Sequence, residues 1–335
     1  MKPLLKHLVE MTGYRDHTRL EISVISALTQ LAGAQQVQAL ELFELAGGTW
    51  LRPRIWSDNG RFVANDNDAA SDPAREPLAR YPDLAAAVAA AQPSAVGRRK
   101  DGARVLWLLI WARGRARSCL EIVHTSALTA NKREVIHGIF LVYQNYQNLL
   151  DYSERDALTG LLNRKTFDDQ FARQSLPPGA GDASSQQYGH WLAVADIDHF
   201  KQVNDRFGHL YGDEVLILVA NILKTSFGVR DRIFRFGGEE FVMLLRDMSL
   251  AGVRSALEQC RATIEQHDFP QVGRVTVSIG FTQVSVGSPV ETLGQADQAL
   301  YHAKGNGRNQ VAFHGDLVAG GLLAAKVAHD DIELF

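Results

Sequence analysis

Apolar and polar positions follow two rhythms along this chain of 335 residues. From residue 17 to 33 the apolar residues recur at helical spacing, and from Val37 to Trp56 the pattern shortens to two strands around the turn signal Gly47-Gly48. The polar stretch from Ala64 to Pro77 reads as a loop, and Tyr81 to Ala91 as an alanine-rich helix. The runs RVLWLLIWARG and RSCLEIVHT predict two more strands. From Lys132 to Tyr152 the rhythm becomes a heptad seam, with Ile136, Ile139, Tyr143, Tyr146 and Leu150 at alternating spacings of three and four. So short a seam allows two readings: a helix packed on its own domain, or a signalling helix that pairs two chains in parallel.

The remaining pattern predicts a helix (Arg164 to Gln174), a strand (Trp191 to Ile197), a helix (Gly212 to Ser226), and strands at Arg230 to Phe236 and Glu240 to Arg246. A helix (Leu250 to His267), a strand (Arg274 to Val284) and a helix (Leu293 to Lys304) follow. Without its first helix this is βαββαβ, the split ferredoxin-like order. Pro177 to Gln187 reads as a surface loop, and the tail after Phe313 receives no role.

Length suggests two domains with a connector, at about 150 residues per domain. A hydrophobic fraction of 46% and a charged fraction of 22% are those of a globular protein, and a net charge of -3 argues against nucleic-acid or membrane-surface partners. Cys119 and Cys260 form no metal-binding spacing, the first residues build no signal-peptide core, and the longest apolar run, Val105 to Ala112, is far short of a bilayer span. The expectation is a cytoplasmic protein.

The segment Arg235-Phe236-Gly237-Gly238-Glu239-Glu240-Phe241 joins two apolar strands through a glycine pair with carboxylates at the bend. Taken alone it is a hairpin turn. In a split βαββαβ sheet the first and third strands are antiparallel neighbours, so Asp196 at the exit of one lies near Glu239 at the entrance of the other. Paired carboxylates suit magnesium, which prefers one or two of them plus substrate phosphates. A buried ion pair is the alternative, and neither motif contains a Lys or Arg that would neutralise both carboxylates. Glycines 237 and 238 would let phosphates approach the backbone closely.

Asp156 to Arg164 (DALTGLLNR) resembles the DxLTGLxNR opening of GGDEF diguanylate cyclases. Asp196-Ile197-Asp198-His199-Phe200-Lys201 with Asn204, Phe207-Gly208-His209 and Gly212-Asp213 resemble that family's central block, and Tyr301-His302-Ala303-Lys304 with Gly307-Arg308-Asn309 its closing segment. The resemblance covers roughly 153 to 313. It implies a magnesium-dependent homodimer, with manganese as a substitute, that condenses two GTP into cyclic di-GMP and two pyrophosphates. By resemblance Asp196, the Ile197 carbonyl and Glu239 hold the metals, with Glu240 a further contact. Glu239 is nominated as proton acceptor and Lys201 for transition-state charge. Lys304 and Arg308 would hold phosphates, and Asp213 with Asn204 would read guanine, whose adjacent N–H donors a carboxylate can accept. Asp213 could equally only begin its helix, and His209 is carried over as a further substrate contact.

The N-terminal order of helix, two strands, loop, helix and strands resembles a GAF-type sensor at the level of fold alone, with an unidentified small ligand or protein as its partner. The expected layout is an α+β chain: a GAF-like domain at 1–128, a connecting helix at 129–152, the ferredoxin-like cyclase domain at 153–314 and a tail at 315–335. A catalytically inactive nucleotide receptor and a ligand-sensing or dimerisation module are the alternatives. One departure from the family concerns product inhibition. The RxxD positions of that secondary site are Gly228 and Asp231, so its arginine is missing, with Arg230 as the nearest substitute.

Overall fold

Buried apolar positions divide between the two faces of each of two sheets, and this division explains most of the elements. The computed structural model describes residues 3–323, except 15, 46, 59, 66–68, 70–71, 100, 113, 175–187, 229–230 and 285–287. Its contacts separate into two units, 1–153 and 154–335.

The first unit contains α1 (Pro3–Gly13), α2 (His17–Ala32), β1 (Gln36–Leu45), β2 (Gly48–Asp58), β3 (Arg61–Ala64), β4 (Glu76–Pro77), α3 (Pro82–Ala89), β5 (Ser94–Arg98), β6 (Arg104–Ala112), β7 (Arg115–His124) and α4 (Ala130–Glu154). The strands form an antiparallel sheet in the order β3-β2-β1-β7-β6-β5, with β4 on β2. In β6, Leu108 and Ile110 join one core with α2 and α4, while Val105, Trp107 and Leu109 join a second core with α3. A strand covered on both faces needs no polar alternation, which explains the continuous run VLWLLIW. The periodicity missed α1, β3 and β5, which are an added helix and two short strands.

The heptad seam is occupied within this unit. Ile136, Ile139, Tyr143 and Leu150 share a buried core with Leu20, Val24 and Leu28 of α2. The Tyr143 hydroxyl donates to Glu21 Oε1 at 2.9 Å, and the Tyr146 hydroxyl to the Thr12 carbonyl at 2.6 Å. Of the two readings of the seam, the helix packed on its own unit is the one found. Heptad spacing records an apolar stripe and not what covers it, so Ile139 and Tyr143 are not free to face a second chain.

The second unit contains β8 (Leu162–Asn163), α5 (Phe167–Gln174), β9 (Gly189–Ile197), α6 (Phe200–Phe207), α7 (His209–Ser226), β10 (Arg232–Gly237), β11 (Glu240–Met248), α8 (Leu250–Gln266), β12 (Val277–Gln283), α9 (Pro289–Gly305), β13 (Val311–Phe313) and α10 (His314–Ala319). The sheet order is β13-β12-β9-β11-β10-β8, and β9 lies antiparallel between β12 and β11. Its inner four strands therefore take the ferredoxin-like order expected from βαββαβ. Trp191, Ala193, Ala195 and Ile197 face the core shared with α7 and α8; Leu192 and Val194 face the one with α5 and α9. The expected loop at 177–187 and Arg230 lie outside the described residues.

Two glycines set helix positions. A Cβ at Gly280 of β12 would stand 2.1 Å from the Leu300 backbone nitrogen and 2.3 Å from the Ala296 carbonyl, so α9 lies directly on the strand backbone. A Cβ at Gly212 would stand 2.0 Å from Asn204 Oδ1, so α6 and α7 meet there. Helix α6 escaped the sequence reading because it is mostly polar, with only Phe200 fully buried.

Candidate active site

Antiparallel pairing of β9 with β11 puts Asp196 opposite Glu240, and the Ile197 N–H reaches the Glu239 carbonyl at 3.4 Å. Gly237 pairs with Glu240 across the hairpin, which leaves Gly238 and Glu239 as the turn itself. Gly238 has φ of 48° and Gly237 of 157°, and a Cβ at either would meet nothing within 4 Å. These two glycines are needed for backbone conformation, and the space beyond them is open.

The charge balance at this edge differs from the sequence reading. Lys304 Nζ lies 2.8 Å from Asp196 Oδ1, so the neutralising cation missing from both motifs arrives from α9. Sequence distance concealed it: the pair is made only because Gly280 lets α9 settle on β12. Burial pushes the Asp196 carboxyl up, the Lys304 ammonium pulls it down, and Glu240 and Asp198 push it up again, leaving it above its ordinary value. The Glu239 carboxyl is also held high, first by burial and then by Asp196, against the pull of Lys304. Asp196, raised by Glu240 and Asp198, and Glu239, raised by Asp196, with one lysine to offset them, form a hard-oxygen donor set short of positive charge. A divalent cation fits it.

The remaining predicted residues differ in exposure. Lys201 is exposed and Asn204 half-buried on α6, while His209 and Asp213 are exposed on α7. Asp213 is the fifth residue of α7 and not its start, because the helix begins at His209. Arg308 is exposed in the turn after α9. Asp231, expected at a product-binding site, has both oxygens engaged: Oδ2 accepts the Gly228 N–H at 2.8 Å and Oδ1 the Arg246 N–H at 3.1 Å.

Residues 153–310 match the family model of the diguanylate cyclase GGDEF domain. The chain is 39% identical over 168 residues to the probable diguanylate cyclase DgcT of Escherichia coli K12, covering 48% of this chain and 35% of that protein. It is 42% identical over 160 residues to diguanylate cyclase DgcP of Pseudomonas aeruginosa, covering 47% of this chain and 23% of that one. The chain thus spans well under two thirds of these relatives. Among solved structures, the coiled coil and GGDEF domain of DgcB from Caulobacter crescentus, in complex with c-di-GMP, is 29% identical with a TM-score of 0.49, covering 56% of this chain and all of that one.

Two features of the second unit were not singled out from sequence. Arg235 Nε and Nη2 donate to the Gly238 carbonyl at 3.0 and 2.8 Å, and its Nη1 to Asp156 Oδ1 at 3.0 Å. Asp156 in turn accepts from the Thr159 N–H and hydroxyl. The opening DALT segment thereby holds the glycine turn. Second, Asp198 of the D-x-D pair is buried and bonds to Thr276 and Ser278.

Proposed function

We propose that this chain is a diguanylate cyclase, condensing two GTP into cyclic di-GMP and two pyrophosphates as a magnesium-dependent homodimer. The observation that carries the reading is the convergence of Asp196, Glu239 and Glu240 on one strand pair beside an open glycine turn. The match of residues 153–310 to the GGDEF model, and relatives that are diguanylate cyclases, support the same reaction.

In this reading Asp196, the Ile197 carbonyl and Glu239 hold the metal, with Glu240 as a further contact. Bound magnesium supplies positive charge to the entering and leaving oxygens of phosphoryl transfer. Glu239 takes the proton from the attacking ribose 3′-hydroxyl. Lys201 offsets charge at the α-phosphate. Lys304 has three donors, so it can keep Asp196 and still reach a phosphate oxygen, and Arg308 takes the outer phosphates. Asp213 and Asn204 accept from and donate to guanine, with His209 beside them; adenine would leave the Asp213 acceptors unpaired. One domain holds one GTP, so two domains meet face to face.

The first unit is read as a GAF-type sensor that regulates the cyclase, supported by its antiparallel sheet with helices against both faces. Among the described residues no helix is long and apolar enough to cross a membrane. The reading places the reaction in the cytoplasm, where GTP is available.

The test is incubation of the purified chain with GTP and magnesium, followed by chromatography of the nucleotides, beside a Glu239→Gln variant. The parent should form cyclic di-GMP and the variant almost none. Turnover of the variant within about tenfold of the parent overturns the assignment, since it deletes a metal ligand and the proton acceptor together.

A further inference from the structure

Arg308 and Asn309 occupy the left-handed region in succession, at φ of 61° and 46°. Asparagine tolerates that conformation; arginine gains nothing from it locally. Such backbone persists where its surroundings over-determine it, and here they do so from two sides. The Asn309 N–H donates to Asp198 Oδ2 at 3.0 Å, while Asn309 Oδ1 accepts from Arg261 Nη1 at 2.7 Å. The Arg308 N–H is held separately by the Ala303 carbonyl at 3.0 Å.

Asp198 is 6% exposed. Thr276 Oγ1 donates to its Oδ2 and Ser278 Oγ to its Oδ1, each at 2.7 Å, and its own N–H reaches the Thr276 carbonyl at 2.9 Å. A buried carboxylate is tolerated when hydrogen bonds replace its hydration, and three donors do so here. The two aspartates at the end of β9 thus divide their work. Asp196 takes the Lys304 ammonium and Asp198 takes the Asn309 amide, so both ends of the 304–309 segment are tied to one strand end.

We propose that Asp198 is a positioning residue, which fixes the Arg308-Asn309 turn so that the Arg308 guanidinium faces the nucleotide phosphates. The inference rests on the reading of Arg308 as a phosphate-binding group. Asp198 is not a metal ligand in this account, because its oxygens are already committed to protein donors.

The test uses the full chain and four variants: Asp198→Ala, Asp198→Asn, Arg308→Ala and the double variant Asp198→Ala/Arg308→Ala. Two readouts are independent: hydrogen exchange of the backbone at 305–310, and calorimetric affinity for a non-hydrolysable GTP analogue with magnesium. Asp198→Ala should speed exchange at Asn309 and weaken the analogue roughly ten- to a hundred-fold, as Arg308→Ala does. The double variant should bind no more weakly than Arg308→Ala alone, within about twofold, since both changes remove one contact. Asp198→Asn should stay within about threefold of the parent: its carboxamide oxygen can keep Thr276 and Asn309, and its NH2 can donate to the Ser278 hydroxyl. At saturating GTP, kcat of Asp198→Asn should match the parent.

Losses that multiply in the double variant overturn the proposal, as does unchanged exchange at Asn309 in Asp198→Ala. Loss of kcat with unchanged analogue affinity also overturns it, by assigning Asp198 to the chemistry. If the parent itself binds no analogue, the nucleotide reading fails and the proposal with it, and the exchange data still report separately whether Asp198 holds the turn.

Discussion

Removing the Arg235 guanidinium should loosen the glycine turn without touching a group assigned to substrate. The side chain is 12% exposed, so its interactions are little screened. Its Nε and Nη2 share one acceptor, the Gly238 carbonyl, and count together as one charged hydrogen bond; the contact with Asp156 is a second. Each such bond contributes roughly 1.5–3 kcal/mol. Asp156 keeps the Thr159 N–H at 2.8 Å and hydroxyl at 2.7 Å, so most of the expected loss falls on the turn. Arg235→Met retains much of the volume and loses both contacts. If only the held turn accepts a triphosphate, kcat/KM falls by up to that bond's worth, roughly ten- to a hundred-fold.

The assay is the initial rate of pyrophosphate release at GTP far below KM, with the acid limb of stability measured alongside. Burial pushes the Asp156 carboxyl up, but the Thr159 donors and the Arg235 guanidinium outweigh it and hold the group below its ordinary value of 3.8. Its contribution to stability is therefore present above that value and is lost as pH falls through the lower folded one. Without Arg235 the folded value rises toward the ordinary one, so Arg235→Met should lose less stability on acidification, and that loss should be complete at a higher pH. A variant with kcat/KM within about twofold of the parent and the same acid limb would refute the reasoning.

Tyr143→Phe should destabilise the first unit by roughly 1.5–3 kcal/mol, because Glu21 is fully buried and loses its hydroxyl donor. Urea unfolding followed by tryptophan fluorescence reads this, since Trp50, Trp56, Trp107 and Trp111 all lie in that unit; an unshifted transition would count against it. Asp213→Ala should lose discrimination between GTP and ATP more than it loses metal affinity, and unchanged discrimination would mean that guanine is read elsewhere. Inhibition by added cyclic di-GMP should be weak, because Gly228 supplies no guanidinium and Asp231 is engaged with the Gly228 and Arg246 amides. Submicromolar inhibition of the parent, measured beside Gly228→Arg, would overturn that and point to Arg230.

Local pattern was sufficient for the elements that bury one or two regular faces. The strands β6, β9 and β11 and the helices α2, α7 and α8 follow from it, because a period of two or 3.6 records which side chains leave water. The order βαββαβ carried the antiparallel contact of β9 with β11, and with it the meeting of Asp196 and the Glu239-Glu240 pair. Short elements such as β5 and the polar helix α6 left no such record. Tertiary structure alone decided what covers each stripe and which charges meet. The seam of α4 is consumed by α2 because burial rewards any apolar partner, and spacing does not name one. Lys304 reaches Asp196 across more than a hundred residues because Gly280 admits the backbone of α9, and Asp198 turns from its neighbour's chemistry to hold Asn309. Apolar periodicity is a property of neighbouring residues and is written along the chain. Ion pairs and hydrogen bonds between distant segments depend on distances that only close packing sets.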